Sequence, residues 1–171
     1  VGGIWNTVTV GTNWTIDKCV SYNIASTSLS VTGSSVPSAR TISNYIGIRS
    51  VANTLINFSV MDGTLTNITA TSGGSTGITF GDLTFTSTTI SGITAHSNAG
   101  SGISLTNVTA LAPTTITTLN SWNNNSMGIT VNNIFDIVFD GGSVFGNLTA
   151  NITNSQHYAV CTWKNMVVNG G

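Results

Sequence analysis

The sequence predicts an all-β chain wound as a solenoid of about seven coils, with 22–26 residues per coil. Three observations carry the prediction: composition, an alternation of apolar and polar residues at period two, and a recurring segment. Thr (29), Ser (21), Asn (20) and Gly (19) make up more than half of the 171 residues, whereas Glu is absent and Lys plus Arg number only 4. The strong helix formers are thus nearly missing, replaced by residues that compete for backbone hydrogen bonds. Hydrophobic residues still make up 40% of the chain and its net charge is −1, so the signature of a disordered chain is absent.

Seven short segments recur in order: Asn23-Ile24-Ala25, Tyr45-Ile46-Gly47, Asn67-Ile68-Thr69, Gly92-Ile93-Thr94, Thr118-Leu119-Asn120, Ser143-Val144-Phe145 and Asn165-Met166-Val167. Around them apolar and polar residues alternate, as in Ile93-Thr94-Ala95-His96 and Leu119-Asn120-Ser121-Trp122, which is the period of a strand. The central residues form an expected inward column of Ile24, Ile46, Ile68, Ile93, Leu119, Val144 and Met166. Small residues such as Ala70, Ala95 and Ser121 follow two positions later, as a narrow interior requires. Asn23, Asn67, Gly92 and Asn165 precede four of these segments, and Asn and Gly enter the left-handed conformation of a sharp bend most cheaply. Stacked asparagines of this kind can hydrogen-bond along the stack.

A second landmark stands ten positions later in three coils: Gly77-Ile78-Thr79-Phe80, Gly102-Ile103-Ser104-Leu105 and Gly128-Ile129-Thr130-Val131. The connectors between landmarks are rich in Gly, Asn and Ser, the residues of turns. Each coil therefore reads strand, turn, strand, longer loop, strand, with strands pairing in parallel about 4.8 Å from those of adjacent coils. Residues 1–171 form a single domain on this reading. The beginning at Val1-Gly2-Gly3 and the end at Asn169-Gly170-Gly171 are those expected of a segment of a longer chain. Cys19 and Cys161 are expected to be buried free thiols, because two cysteines 142 positions apart make no disulfide framework. Near-neutral charge provides no basis for nucleic-acid binding, and no apolar run approaches the ~18 residues of a membrane-spanning helix.

The repeated coils, above all His96-Ser97-Asn98-Ala99-Gly100-Ser101-Gly102-Ile103 and Ser121-Trp122-Asn123-Asn124-Asn125-Ser126-Met127-Gly128-Ile129, resemble those of right-handed parallel β-helices of the pectin-lyase-like type, including bacteriophage tail spikes and tail fibres. The likeness spans about residues 20 to 168 and is architectural. It implies a right-handed parallel β-helix. It further implies a homotrimer projecting from a virion tail, continuing into flanking domains and binding a cell-surface polysaccharide. Two alternatives share the look. One is a fragment of a polysaccharide lyase or glycoside hydrolase; the other is a secreted or cell-surface solenoid, either an adhesin or an ice-binding protein.

Candidate sites follow from the alternation. His96 and Trp122 point outward on neighbouring coils and are expected to stack, with Asn98 and Asn124 two positions further on. Exposed rings beside amides suit a sugar, the ring covering an apolar face and the amides meeting hydroxyls. Catalysis by two carboxylates would fall to Asp136 and Asp140, which are four residues apart, or roughly 13 Å along an extended strand. Asp62-Gly63 and Asp140-Gly141 instead read as turns. No cofactor is expected, and no metal, since the one imidazole partner for His96 is the distant His157. Finally, Thr64 and Thr66, Thr89 and Ser91, and Thr115 and Thr117 form three hydroxyl rungs, expected to end at Phe139 and Gly141. The bland reading of these is β-branched strand residues on a solvated face.

Overall fold

The computed structural model describes residues 4–8, 13–33, 40–51, 54–59, 63–85, 88–155 and 161–170. Among them thirteen strands follow one another without a helix: β1 (Ile4–Val8), β2 (Trp14–Asp17), β3 (Val20–Ile24), β4 (Leu29–Gly33), β5 (Arg40–Ser50), β6 (Ile56–Phe58), β7 (Gly63–Thr71), β8 (Ile78–Phe85), β9 (Thr88–His96), β10 (Ile103–Trp122), β11 (Met127–Phe145), β12 (Ala150–Asn154) and β13 (Cys161–Asn169). Every pairing is parallel and joins one coil to the next, so the chain is a parallel β-solenoid. It makes about five turns rather than the seven expected. Six of the seven recurring segments mark rungs at one corner, the first lies at the next corner, and the end rungs belong to incomplete turns.

The coil has three faces. The first stacks β1, β4, β6, β8, the start of β10, the start of β11 and β12. The second stacks β2, the starts of β5, β7 and β9, the middles of β10 and β11, and the start of β13. The third stacks β3 and the ends of β5, β7, β9, β10, β11 and β13.

Between the second and third faces, Lys18, Asn44, Asn67, Gly92, Thr118, Gly141 and Asn165 lie level with one another, and all seven have φ between 52° and 81°. The bends anticipated at Asn67, Gly92 and Asn165 fall here, while Asn23, also left-handed, belongs to the next corner. This ladder corrects the inward column. Its true members are Cys19, Tyr45, Ile68, Ile93, Leu119, Gly142 and Met166; Ile46 faces out, and Val144 lies level with Ser121. The reason is the period of two: a slip of one residue exchanges the two faces of a strand.

Inside, Leu29, Ile56, Ile78, Ile103 and Ile129 stack on the first face, and Ile42, Leu65, Ile90, Ile116 and Phe139 on the second, all buried. Each such Ile or Leu contributes about 1.5–3 kcal/mol by burial. Aromatic stacks extend two columns, Phe58 on Phe80 at 5.2 Å and Phe139 on Trp163 at 4.2 Å. The buried Tyr45 keeps its hydroxyl 2.9 Å from Ser21 Oγ and 3.1 Å from the Ser28 carbonyl, and burial raises its pKa. Cys19 and Cys161 are free thiols, as expected, but only partly buried.

Candidate functional site

The outer surface of the third face carries one column in register: Tyr22, Ile48, Thr71, His96, Trp122 and Phe145. Parallel pairing repeats the same side-chain direction at each rung, about 4.8 Å apart, which is also a comfortable spacing for stacked rings. The His96 and Trp122 rings accordingly lie 4.7 Å apart and 3° from parallel. Phe145 extends the ladder, 6.0 Å from Trp122 and 5° from parallel. The expected stacking of His96 and Trp122 is thus present, and Phe145 adds a third ring whose outward direction the misplaced final coils concealed. Thr71 Oγ1 and Ser97 Oγ lie 3.3 and 3.2 Å from His96 Nδ1. Partial burial lowers the His96 pKa, favouring the neutral ring. Alongside runs a second outward column that includes Thr69, Thr94, Asn120 and Ser143, a polar margin to the rings.

The strands of this face end at a second left-handed corner: Asn23, Arg49, Ser72, Ser97, Asn123 and Gly146, with φ between 53° and 62°. This corner determines where Asn98 and Asn124 go. Each follows directly on a left-handed residue, which cancels the alternation, so both turn inward and are only 1% exposed. There they join an internal ladder. The Oδ1 of Asn98 accepts from Gly73 N at 2.9 Å, and its Nδ2 donates to Asn124 Oδ1 at 2.8 Å. Asn124 Nδ2 donates to Asn147 Oδ1 at 2.8 Å, and Asn147 Nδ2 to Asn151 Oδ1 at 2.9 Å. The two amides expected beside the rings are therefore committed to the interior. The second landmark glycines make room for this ladder, since a Cβ on Gly128 would stand 2.5 Å from Asn147 Nδ2.

Outside the corner lies a groove of about 420 Å³, lined by Arg49, Ser50, Val51, Ser72, Gly73, Gly74, Ser97, Ala99 and Asn125. Sequence reasoning did not single it out. Its one available signal was an arginine level with a column of serines and asparagines.

Three of the four described aspartates, Asp17, Asp82 and Asp140, terminate amide ladders. Asp17 accepts from Ser43 Oγ at 2.6 Å and Asn44 Nδ2 at 2.9 Å, while Asn44 Oδ1 accepts from Asn67 Nδ2. These bonds, that of Ser43 foremost, lower the Asp17 pKa. Asp82 accepts from Asn107, which accepts from Asn133; Asp140 accepts from Asn165 at 2.7 Å. The anticipated Asn ladders are thus real, and a carboxylate, which only accepts, is the natural end of each. Asp136 occupies a left-handed bend at the start of the second-face stretch of β11, and Asp140 the end of that stretch, so nothing folds the two together. Asp140 is level with Thr117 and Lys164. Asp62 and His157 lie outside the described residues. Among the described residues, no three of His, Cys, Asp and Glu gather where they would hold a metal.

The hydroxyl array on the second face is longer than the three rungs expected. Thr15, Thr41, Thr64, Thr89 and Thr115 are in register on five rungs, and Ser43, Thr66, Ser91 and Thr117 form the column beside them. The next rung is Val138 and Asp140, not Phe139 and Gly141. No protein-family model, curated protein or solved structure matches the chain.

Proposed function

We propose that this chain is a structural and receptor-binding segment of a viral tail spike or tail fibre, and that its third face binds a cell-surface polysaccharide. The observation that carries the reading is the ladder of His96, Trp122 and Phe145, three stacked, nearly parallel rings on an outer face, bordered by hydroxyls and the Asn120 amide. Rings stacked face to face along a stiff solenoid turn their edges outward as a continuous apolar strip. Pyranose rings can lie on such a strip while their hydroxyls meet Thr94, Asn120 and Ser143. Asn98 and Asn124 serve this surface indirectly, by pinning the turns from inside. The proposal places the chain on the virion tail, extracellularly, as a homotrimer continuous with flanking domains. Exposed Val20 and Tyr22, at one end of the same face, fit burial between copies.

The test is a glycan array probed with the wild-type chain and Trp122→Ala, alongside the oligomeric state by light scattering. A trimer whose glycan signal falls at least tenfold in the variant supports the reading. A strict monomer that binds no glycan overturns it.

A second reading is favoured by the five threonine rungs of the second face, which place methyl and hydroxyl groups in register on successive coils. Such an array suits ordered water, as on an ice surface. Inhibition of ice recrystallisation that is lost in Thr89→Tyr would replace the first reading with this one.

A further inference from the structure

Resting on the glycan-binding reading of the third face, we infer that the groove beside the aromatic ladder is a subsite for an anionic saccharide residue. That residue carries a carboxylate or a sulfate ester, and Arg49 is its counter-ion. The groove holds one charge. Arg49 stands at the second left-handed corner with φ 59°, level with Ser72, Ser97 and Asn123. It is exposed, and among the described residues no hydrogen bond or ion pair engages its guanidinium. No acidic side chain lines the groove. The described carboxylates sit elsewhere: Asp17 and Asp140 at the corner between the second and third faces, Asp82 in a bend of the first face, and Asp136 at the start of the second. In a chain with only 9 charged residues, a cation left without a local counter-charge makes the groove selective for anions.

The remaining lining fits the same ligand. Ser72, Ser97 and Asn125 offer hydroxyl and amide groups, while Gly73, Gly74 and Ala99 leave the floor open. Arg49 is two rungs, or about 10 Å, from the level of Ser97, which directly follows His96 in sequence. A saccharide chain lying along the outward edges of His96 and Trp122 can therefore reach Arg49 with a neighbouring sugar unit. A guanidinium fork matches the paired oxygens of a carboxylate or sulfate.

The experiment compares two pairs of probes on the full chain: polygalacturonate against its methyl ester, and dextran sulfate against dextran. The variants are Arg49→Asn, chosen because Asn accepts the left-handed conformation, and Trp122→Ala, each checked for an unchanged melting curve. Wild type is expected to prefer at least one charged probe over its neutral partner by tenfold or more. Arg49→Asn should abolish that preference while leaving neutral binding intact, and Trp122→Ala should weaken charged and neutral binding alike. Whichever charged probe is preferred identifies the group as carboxylate or sulfate. Equal binding of charged and neutral probes by wild type, a preference that survives in Arg49→Asn, or no binding of any probe overturns the inference. If Trp122→Ala changes nothing while probes still bind, the reading of the face itself fails.

Discussion

Asn98 and Asn124, 26 residues apart in sequence, meet inside the solenoid, where Asn98 Nδ2 donates to Asn124 Oδ1 at 2.8 Å and the Asn98 backbone N–H to the same oxygen at 3.1 Å. One side chain thereby satisfies the turn of the preceding coil, and its own donor end is passed on to Asn147. Turn and core are thus one construction. The polar interior that results is tolerable because its amide groups are paired.

Asn124→Ala removes a side chain that bonds Asn98, Asn147 and Ser121 at once, and it orphans several buried groups. Each orphan costs about 1–3 kcal/mol, so the variant is expected to lose about 3 kcal/mol or more. Asn124→Asp should lose at least as much, since its second oxygen would face the Asn147 acceptor. Urea midpoints with an unchanged slope provide the measurement, and a loss below about 1 kcal/mol would refute the ladder's importance.

Thr118 holds φ 57° in a ladder whose adjacent rungs are Gly92 and Gly141. A β-branched residue in this conformation is strained by roughly 1–2 kcal/mol. Thr118→Asn should therefore raise stability by about 1 kcal/mol, seen as a higher thermal midpoint. An unchanged or lower midpoint would show that the corner is not under strain.

Gly141 and Gly142 are adjacent, yet their tolerances should differ sharply. A Cβ on Gly142 would lie 2.0 Å from the Leu119 carbonyl oxygen, whereas one on Gly141 meets nothing nearer than 3.9 Å. Gly141→Ala is expected to cost about 1–2 kcal/mol from its φ of 81° alone. Gly142→Ala should cost considerably more, because backbone must move. Comparable losses in parallel denaturation curves would contradict the register at this corner.

Two groups set opposite ends of the acid response. Burial holds the folded His96 pKa below the ordinary 6.5, so as pH falls through 6.5 the unfolded chain takes up a proton that the folded chain refuses. Stability should decline from that point until the folded ring also protonates, and His96→Gln should flatten this part of the profile. The Asp17 carboxyl is lowered from 3.8 by its Ser43 and Asn44 bonds, so its contribution is full above 3.8 and lost as pH falls through the folded value. Asp17→Asn should flatten the decline below about pH 4. Melting temperatures across pH 3–8 decide both.

Much of this architecture was legible in the sequence, for a definite reason. Strong helix formers are nearly absent, period-two alternation is intact along Ile93 to His96 and Leu119 to Trp122, and the Gly-Ile landmarks recur, so parallel stacking and the pairing of His96 with Trp122 followed from local pattern. That pattern holds only between bends. At Ser97 and Asn123 a left-handed residue reverses the sense of in and out, which sends Asn98 and Asn124 into the core. At Lys18 and Thr118 the bend falls on residue types that do not advertise it, and at the end coils a slip of one or two positions misplaced Ile46 and Val144. Whether a given residue takes positive φ is decided by the rungs above and below, which hold the corner in place, and only the assembled stack contains that information.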